Sequence, residues 1–89
     1  MKIKKGFILK QLTEDLCVVI AVGEASKKIN GYAKLSESAV VLWNKLEQGA
    51  SFDELVNALL NEYEVDEKTA RQGVSDFLDR LRLIEAIDE

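Results

Sequence analysis

The residues that could carry catalysis or bind a metal are few in this sequence. It contains no histidine and a single cysteine, Cys17, among 89 residues. Histidine is the usual general base near neutral pH and the commonest metal ligand, and Cys17 lies in the apolar run LCVVIAV, which has no cation to favour a thiolate. No glycine-rich phosphate loop and no Cys/His cluster with zinc spacing is present. The sequence therefore predicts no catalytic residue, no metal, no cofactor and no enzyme activity.

The charges of the chain are unevenly distributed. Residues 1–35 contain seven lysines and three acidic residues, whereas residues 36–89 contain five basic and thirteen acidic residues, within a net charge of −4. Opposite signs on the two halves of a small protein can steer a charged partner toward one face. This pattern alone leaves open an ordinary mixed surface with no partner.

Composition places the chain among ordinary globular proteins. Hydrophobic residues make up 47% and charged residues 31% of the sequence, and 89 residues suit one domain over residues 1–89. No apolar run approaches the roughly 20 residues of a membrane span, and the basic start MKIKKGFILK lacks the apolar core of a signal peptide. The sequence predicts a cytoplasmic protein that does not bind membranes.

The first part of the chain has the period of β-strands. Residues 7–12 (FILKQL) and 16–22 (LCVVIAV) are separated by three polar residues, which predicts a hairpin. The second run is apolar on both faces, as in a covered central strand, and this leaves open a homodimer through the sheet. Asn30-Gly31 predicts a turn before a short third strand, Tyr32–Leu35, so the sheet spans residues 6–35.

From Ser36 onward the apolar period changes from 2 to 3.6, which predicts three helices over residues 36–48, 51–63 and 66–84. Gly49 is a stop signal, Ser51 and Glu54 form a capping box, and Asp66 caps the third helix. The predicted fold is α+β and winged-helix-like, a three-stranded antiparallel sheet followed by three helices in the order β-β-β-α-α-α.

The ordered pattern from residue 30 to residue 81 resembles the PqqD-like family, also called RiPP recognition elements. Each matching position is a core or turn residue, so the specificity lies in the combination. The matching residues are Asn30, Gly31, Leu35, Ser36, Ala39, Trp43, Leu46, Gly49, Leu55, Leu59, Tyr63, Val65, Val74, Phe77 and Leu81. One position departs from the family pattern: Glu85 replaces a glycine, which predicts that the left-handed helix stop is missing and that the third helix runs on.

The resemblance implies a function. Family members bind the leader segment of a precursor peptide as an added strand beside the third helix and present it to a modifying enzyme, in many cases a radical-SAM maturase. It implies that the short third strand is the binding edge, because unpaired backbone groups at a sheet edge are a template for strand addition. The peptide-binding residues expected from it are Tyr32, Ala33, Lys34, Leu35, Arg71, Val74, Ser75, Leu78 and Arg82. Lys27 and Lys28 are expected to attract an acidic leader.

Two other functions remain open at this point. A winged-helix regulator would bind DNA through the third helix, but the four basic residues of that helix are balanced by four acidic ones, so the electrostatic footprint of a nucleic-acid protein is missing. The sequence therefore predicts no nucleic-acid partner. A structural or assembly domain without a peptide ligand is the other alternative.

Overall fold

The structure, a computed structural model, describes residues 1–27 and 32–89. The predicted Asn30-Gly31 turn and Lys28 lie outside these residues. The strands are β1 (Lys2–Ile3), β2 (Phe7–Thr13), β3 (Leu16–Ala21), β4 (Tyr32–Leu35) and β5 (Ile87–Asp88). The helices are α1 (Glu37–Gln48), α2 (Phe52–Glu62) and α3 (Glu67–Leu83), and a 3₁₀ helix spans Gly23–Lys27.

The predicted three-stranded antiparallel sheet is confirmed. Its strand order is β2-β3-β4, so β3 is central and β4 is an edge. The β2–β3 hairpin runs from the pair Phe7 and Ala21 to the pair Thr13 and Leu16, with a register shift between Gln11 and Thr13. The apolar character of β3 on both faces thus corresponds to its central position.

The three predicted helices are confirmed together with their caps. The side chains of Ser36, Ser51 and Asp66 accept hydrogen bonds from the backbone N–H groups of Ala39, Glu54 and Thr69. Each cap satisfies a backbone donor that the first turn of a helix leaves unpaired.

The predicted extension of the third helix is wrong. Helix α3 ends at Leu83, and Glu85 adopts the left-handed conformation with φ 54°. The Ala86 N–H donates to the Leu81 carbonyl at 2.9 Å, and the Glu85 N–H donates to the Arg82 carbonyl at 3.1 Å. This pair of bonds is a Schellman motif, which normally has glycine at the left-handed position. Backbone hydrogen bonds therefore hold a glutamate in a conformation that costs a residue with a Cβ about 1–2 kcal/mol.

A second, two-stranded sheet was not predicted. Strands β1 and β5 pair antiparallel, with Lys2 opposite Asp88 and Ile3 opposite Ile87. This ribbon places Ala86 and Ile87 in the core, at 0% and 5% exposure. Within the described residues, no helix is both long and apolar enough to cross a membrane.

The core lies between the helices and the inner face of the sheet. Trp43, Leu46, Leu55 and Val74 have no exposed surface. The outer face of the sheet carries a cross-strand row of Ile8, Ile20 and Tyr32, in which Ile8 and Tyr32 are 47% and 58% exposed. The homodimer through the sheet stays a prediction for this face.

Candidate peptide-binding edge

Strand β4 follows β3 in a simple antiparallel register. Ile20 lies opposite Tyr32, Val19 opposite Ala33, Val18 opposite Lys34 and Cys17 opposite Leu35. Because side chains alternate across a sheet, Ala33 and Leu35 share the inner face with Val19, and Tyr32 and Lys34 lie on the outer face. Burial agrees, since Leu35 is buried, Ala33 is half-buried and the two outer residues are exposed.

The hydrogen-bonding phase of the sheet follows from one bond at its end. The Val22 N–H donates to the Gly6 carbonyl at 2.8 Å, and these two residues are opposite each other in the β2–β3 register. In an antiparallel ladder, bonded and non-bonded pairs alternate. Val18 and Ile20 therefore turn their backbone groups toward β2, and Cys17 and Val19 turn theirs toward β4.

This phase determines which backbone groups of β4 are open. Ala33 and Leu35 are the residues that bond to β3, opposite Val19 and Cys17. The N–H and C=O groups of Tyr32 and Lys34 consequently point away from the sheet. Four backbone groups at this edge are positioned to pair with an added strand.

An apolar cavity of about 230 Å³ lies beside this edge, between β4 and the C-terminal half of α3. We call it the anchor cavity. It is lined by Val19, Ala33, Leu35, Phe77, Arg80, Leu81, Leu83 and Ile84. Leu83 is 84% exposed, so this wall of the cavity is open to solvent. An extended peptide on β4 would place alternate side chains over this cavity.

The helix residues expected from the resemblance lie elsewhere. Val74 and Leu78 are buried in the core at 0% and 1% exposure, so they support the wall of α3 from behind. Arg71 and Ser75 line a different cavity of about 500 Å³ with Phe52 of α2, and the Arg71 guanidinium lies 5.8 Å from the centre of that ring. These residues are not brought together with β4.

Arg71 and Arg82 are both engaged in ion pairs. Arg71 lies 3.4 Å from Asp53 and 3.5 Å from Glu67. Arg82 lies 2.9 Å from Asp79 and 2.8 Å from Glu89, and these hydrogen-bonded carboxylates raise the pKa of the guanidinium. The hydrogen bonds that Arg82 donates to Glu89 are the main reason that the pKa of this carboxyl group is lowered.

Two cations near the edge have no ion pair within residues 1–27 and 32–89. Lys34 is an exposed residue of β4, and Arg80 lines the anchor cavity. Lys27, which was expected to steer an acidic peptide, lies 3.3 Å from Glu24, and both side chains are largely exposed. An acidic peptide on β4 would meet Lys34 and Arg80 directly.

Sequence reasoning missed Phe77, Arg80, Leu81, Leu83 and Ile84. Phe77 and Leu81 follow the core stripe of α3 and were interpreted only as core, whereas they also form the inner wall of the cavity. A signal was present in Leu83 and Ile84, two large apolar residues at the end of a helix whose core stripe already ends at Leu81.

The fold and this edge define a class: small α+β domains with an open sheet edge beside an apolar cavity. The chain matches the model of the family described as coenzyme PQQ synthesis protein D (PqqD) over residues 8–86, and it belongs to that family. The resemblance seen in the sequence is thereby confirmed.

Two solved structures are similar over nearly the whole chain. One is TbiB1 in complex with the TbiA(beta) leader peptide, with a TM-score of 0.80 and 27% identity over 99% of this chain and 95% of that chain. The other is lasso peptide synthetase B1 complexed with the leader peptide, with a TM-score of 0.71 and 21% identity over 91% of this chain and 88% of that chain. At that identity the second shows the fold alone. No curated protein matches the chain.

Proposed function

We propose that this chain binds the leader segment of a ribosomally made precursor peptide as an added strand on β4 and presents it to a modifying enzyme. The observation that carries the proposal is the open backbone of Tyr32 and Lys34 beside the anchor cavity. Membership of the PqqD family supports it, as does the similarity to TbiB1, which was solved in complex with a leader peptide.

The chemistry of the chain indicates which role belongs to this protein and which to its partner enzyme. Strand addition requires open backbone groups, and an apolar cavity beside them selects a side chain of the peptide; both features are present at β4. A sequence without histidine offers no side chain that acts as a general base near neutral pH at its ordinary pKa. We therefore assign peptide recognition to this chain and the covalent chemistry to its partner enzyme. The proposed location of this chain is the cytoplasm.

The edge also indicates the strength of binding. Four main-chain bonds contribute about 0.5–1.5 kcal/mol each, and one buried apolar side chain contributes about 1.5–3 kcal/mol. Association costs at least about 4 kcal/mol. The balance is at most about 5 kcal/mol, which corresponds to a Kd no tighter than a few tenths of a millimolar, so tighter binding requires contacts beyond β4 and the anchor cavity.

A peptide selected from a displayed library of random twelve-residue sequences, called here the selected peptide, tests the proposal by calorimetry. Ala33→Leu places a larger side chain in the anchor cavity and should weaken binding at least tenfold. Tyr32→Ala is the matched control, because Tyr32 is the neighbouring residue on the opposite face. Tyr32→Ala should lose one cross-strand side-chain contact with the peptide, worth about 0.2–1 kcal/mol, so it should weaken binding at most about fivefold. If Ala33→Leu binds the peptide as tightly as the wild type does, the anchor cavity is not part of the binding site.

A further inference from the structure

The outer face of the three-stranded sheet carries most of the large apolar side chains that are exposed in the described part of the chain. Six such residues are exposed there, and four of them lie in the sheet or directly after β3: Ile8, Leu12, Val22 and Tyr32. Ile8 and Tyr32 flank Ile20 in one cross-strand row. A contiguous apolar patch of this kind often marks a surface for another protein.

The charged residues of this sheet are distributed unevenly along its strands. The three strands contain no acidic residue, and their two lysines, Lys10 and Lys34, flank Val18 in the neighbouring cross-strand row of the same face. At one end of the sheet the β2–β3 turn contains Glu14-Asp15, and at the other end Lys4-Lys5 lies just before β2; all four residues are exposed. The sheet therefore has an acidic end, a middle that is apolar and basic, and a basic end.

A second copy of this chain can face this surface in two ways, because the two-fold axis of a symmetric pair lies in the plane between the two sheets. An axis along the strands lays β2 on β4 of the second copy, so that Lys10 meets Lys34 and like charges also meet at the ends. An axis across the strands, midway between the two rows, lays each strand on its own counterpart in the reverse direction. Ile8 then lies on Lys10 of the second copy, and the acidic end lies on the basic end. Tyr32 lies on Lys34, whose ammonium group is attracted by the face of an aromatic ring. Charge complementarity therefore favours the reversed arrangement.

The size of the face determines how strongly two copies associate. Neighbouring strands are about 4.8 Å apart and rise about 3.3 Å per residue, so β2, β3 and β4 together cover on the order of 300 Å². A stable interface normally buries roughly 800 Å² on each partner. Two free copies should therefore associate only weakly, and a further strand in the sheet would enlarge the contact.

We propose that a second copy of this chain docks on the outer face of the sheet in the reversed arrangement, and that a bound leader strand enlarges the contact. The second part rests on the proposed function. A strand added beside β4 is a fourth strand of the same sheet, so alternate side chains of the peptide lie on the outer face, next to Tyr32 and Lys34. About six added residues enlarge this face by roughly a third. The second copy thus supplies contacts to the peptide that β4 and the anchor cavity lack.

Sedimentation equilibrium of the full chain tests the docking face without a peptide. The wild type should be monomeric at micromolar concentration and dimerise with a Kd of roughly 0.1–1 mM, as expected for so small a contact. Ile8→Lys places a cation on Lys10 of the second copy and should raise this Kd at least tenfold. Ile8→Glu loses the same apolar side chain but places a carboxylate on that lysine, so its Kd should be at least threefold lower than that of Ile8→Lys. Val65→Lys is the matched control, because Val65 is also exposed but lies outside the sheet, and it should sediment like the wild type.

The selected peptide tests the second part of the proposal. It should lower the Kd of wild-type dimerisation at least tenfold. By reciprocity the dimer binds the peptide more tightly than the monomer does, and two peptides share this gain, so Ile8→Lys should bind the peptide about threefold more weakly than the wild type. Ile8 lies in β2, on the far side of β3 from the peptide edge, so a direct contact with the peptide does not explain such a loss.

Each part of the proposal has its own contrary result. A wild type that stays monomeric at about 1 mM, or that dimerises no better than Ile8→Lys, overturns the second copy as the occupant of this face. Equal Kd values for Ile8→Lys and Ile8→Glu overturn the reversed arrangement, and dimerisation that the peptide leaves unchanged overturns the enlarged contact. Strand addition would then still stand, provided that the same peptide loses affinity for Lys34→Pro. A selection that yields no binding peptide, or binding that ignores Lys34→Pro, would overturn the proposed function itself, whereas docking on the outer face is decided by the free chain.

Discussion

Proline substitutions at two adjacent residues of β4 should have opposite effects on folding and binding. Proline removes the backbone N–H and is tolerated in a strand only where that donor is not needed by the sheet. The ladder phase places the Ala33 N–H toward β3 and the Lys34 N–H toward the open edge. Ala33→Pro should therefore damage the fold, and Lys34→Pro should damage binding.

The magnitudes follow from the partners of each N–H. Ala33→Pro loses one ladder bond, worth about 0.5–1.5 kcal/mol, and leaves the carbonyl of Val19, a residue only 1% exposed, without its partner. An unsatisfied buried acceptor costs about 1–3 kcal/mol more, so the free energy of unfolding should fall by about 2–4 kcal/mol. For a domain of this size the Tm should drop by roughly 10–25 °C. Lys34→Pro loses no ladder bond, so its Tm should change by no more than about 5 °C.

Binding should show the reverse order for the variant that folds. Lys34→Pro removes one of four edge groups, and the proline ring also obstructs the approach of a neighbouring strand. Affinity for the selected peptide should therefore fall at least tenfold, measured by calorimetry after circular dichroism has confirmed the fold. Lys34→Ala is the control, because it removes the charge and keeps the N–H. If Ala33→Pro melts like the wild type, or if Lys34→Pro binds like Lys34→Ala, the assigned ladder phase is refuted.

Three further results are expected. Lys34→Glu should slow association with an acidic peptide several-fold at low salt and less at high salt. Lys27→Glu should have a smaller effect, because Lys27 already has an acidic partner. Association rates, measured by stopped flow, that do not depend on salt concentration would contradict this. Glu85→Gly should raise the Tm by roughly 4–8 °C, since glycine adopts the left-handed conformation without strain, and an unchanged melt would show that the glutamate is not strained. Hydrogen bonds, first from the Ser51 backbone, lower the pKa of Glu54 below its ordinary value of 4.5. The stabilisation is therefore complete above that pH and is lost as the pH falls through the lowered pKa. In Glu54→Gln the Tm should consequently fall less steeply as the pH is lowered. A fall equal to that of the wild type would contradict this.

The helices could be predicted from the sequence because their signals are local. Ser36, Ser51 and Asp66 each precede an apolar stripe of period 3.6, and each caps a helix in the structure. The predicted end of α3 was wrong because it depended only on the preference of glycine for the left-handed conformation. The hydrogen bonds from Glu85 and Ala86 back to the last turn hold the left-handed conformation without glycine.

Long-range features could not be predicted in the same way. The β1–β5 ribbon joins Lys2–Ile3 to Ile87–Asp88, and two-residue strands are too short to show a period. The ladder phase of β4 depends on its pairing with β3, which no local pattern contains. The wall of the anchor cavity depends on how α3 packs over β4, so the interpretation of Arg71 and Ser75 as wall residues selected a face that lies against α2 instead.

Amide hydrogen exchange of β4, followed by NMR with and without the selected peptide, tests strand addition most directly. In the free protein the N–H groups of Ala33 and Leu35 should be protected by β3, while those of Tyr32 and Lys34 exchange quickly. Binding of the peptide should slow exchange at Tyr32 and Lys34 and leave Ala33 and Leu35 almost unchanged. A bound state in which Tyr32 and Lys34 still exchange as fast as in the free protein would contradict strand addition at this edge.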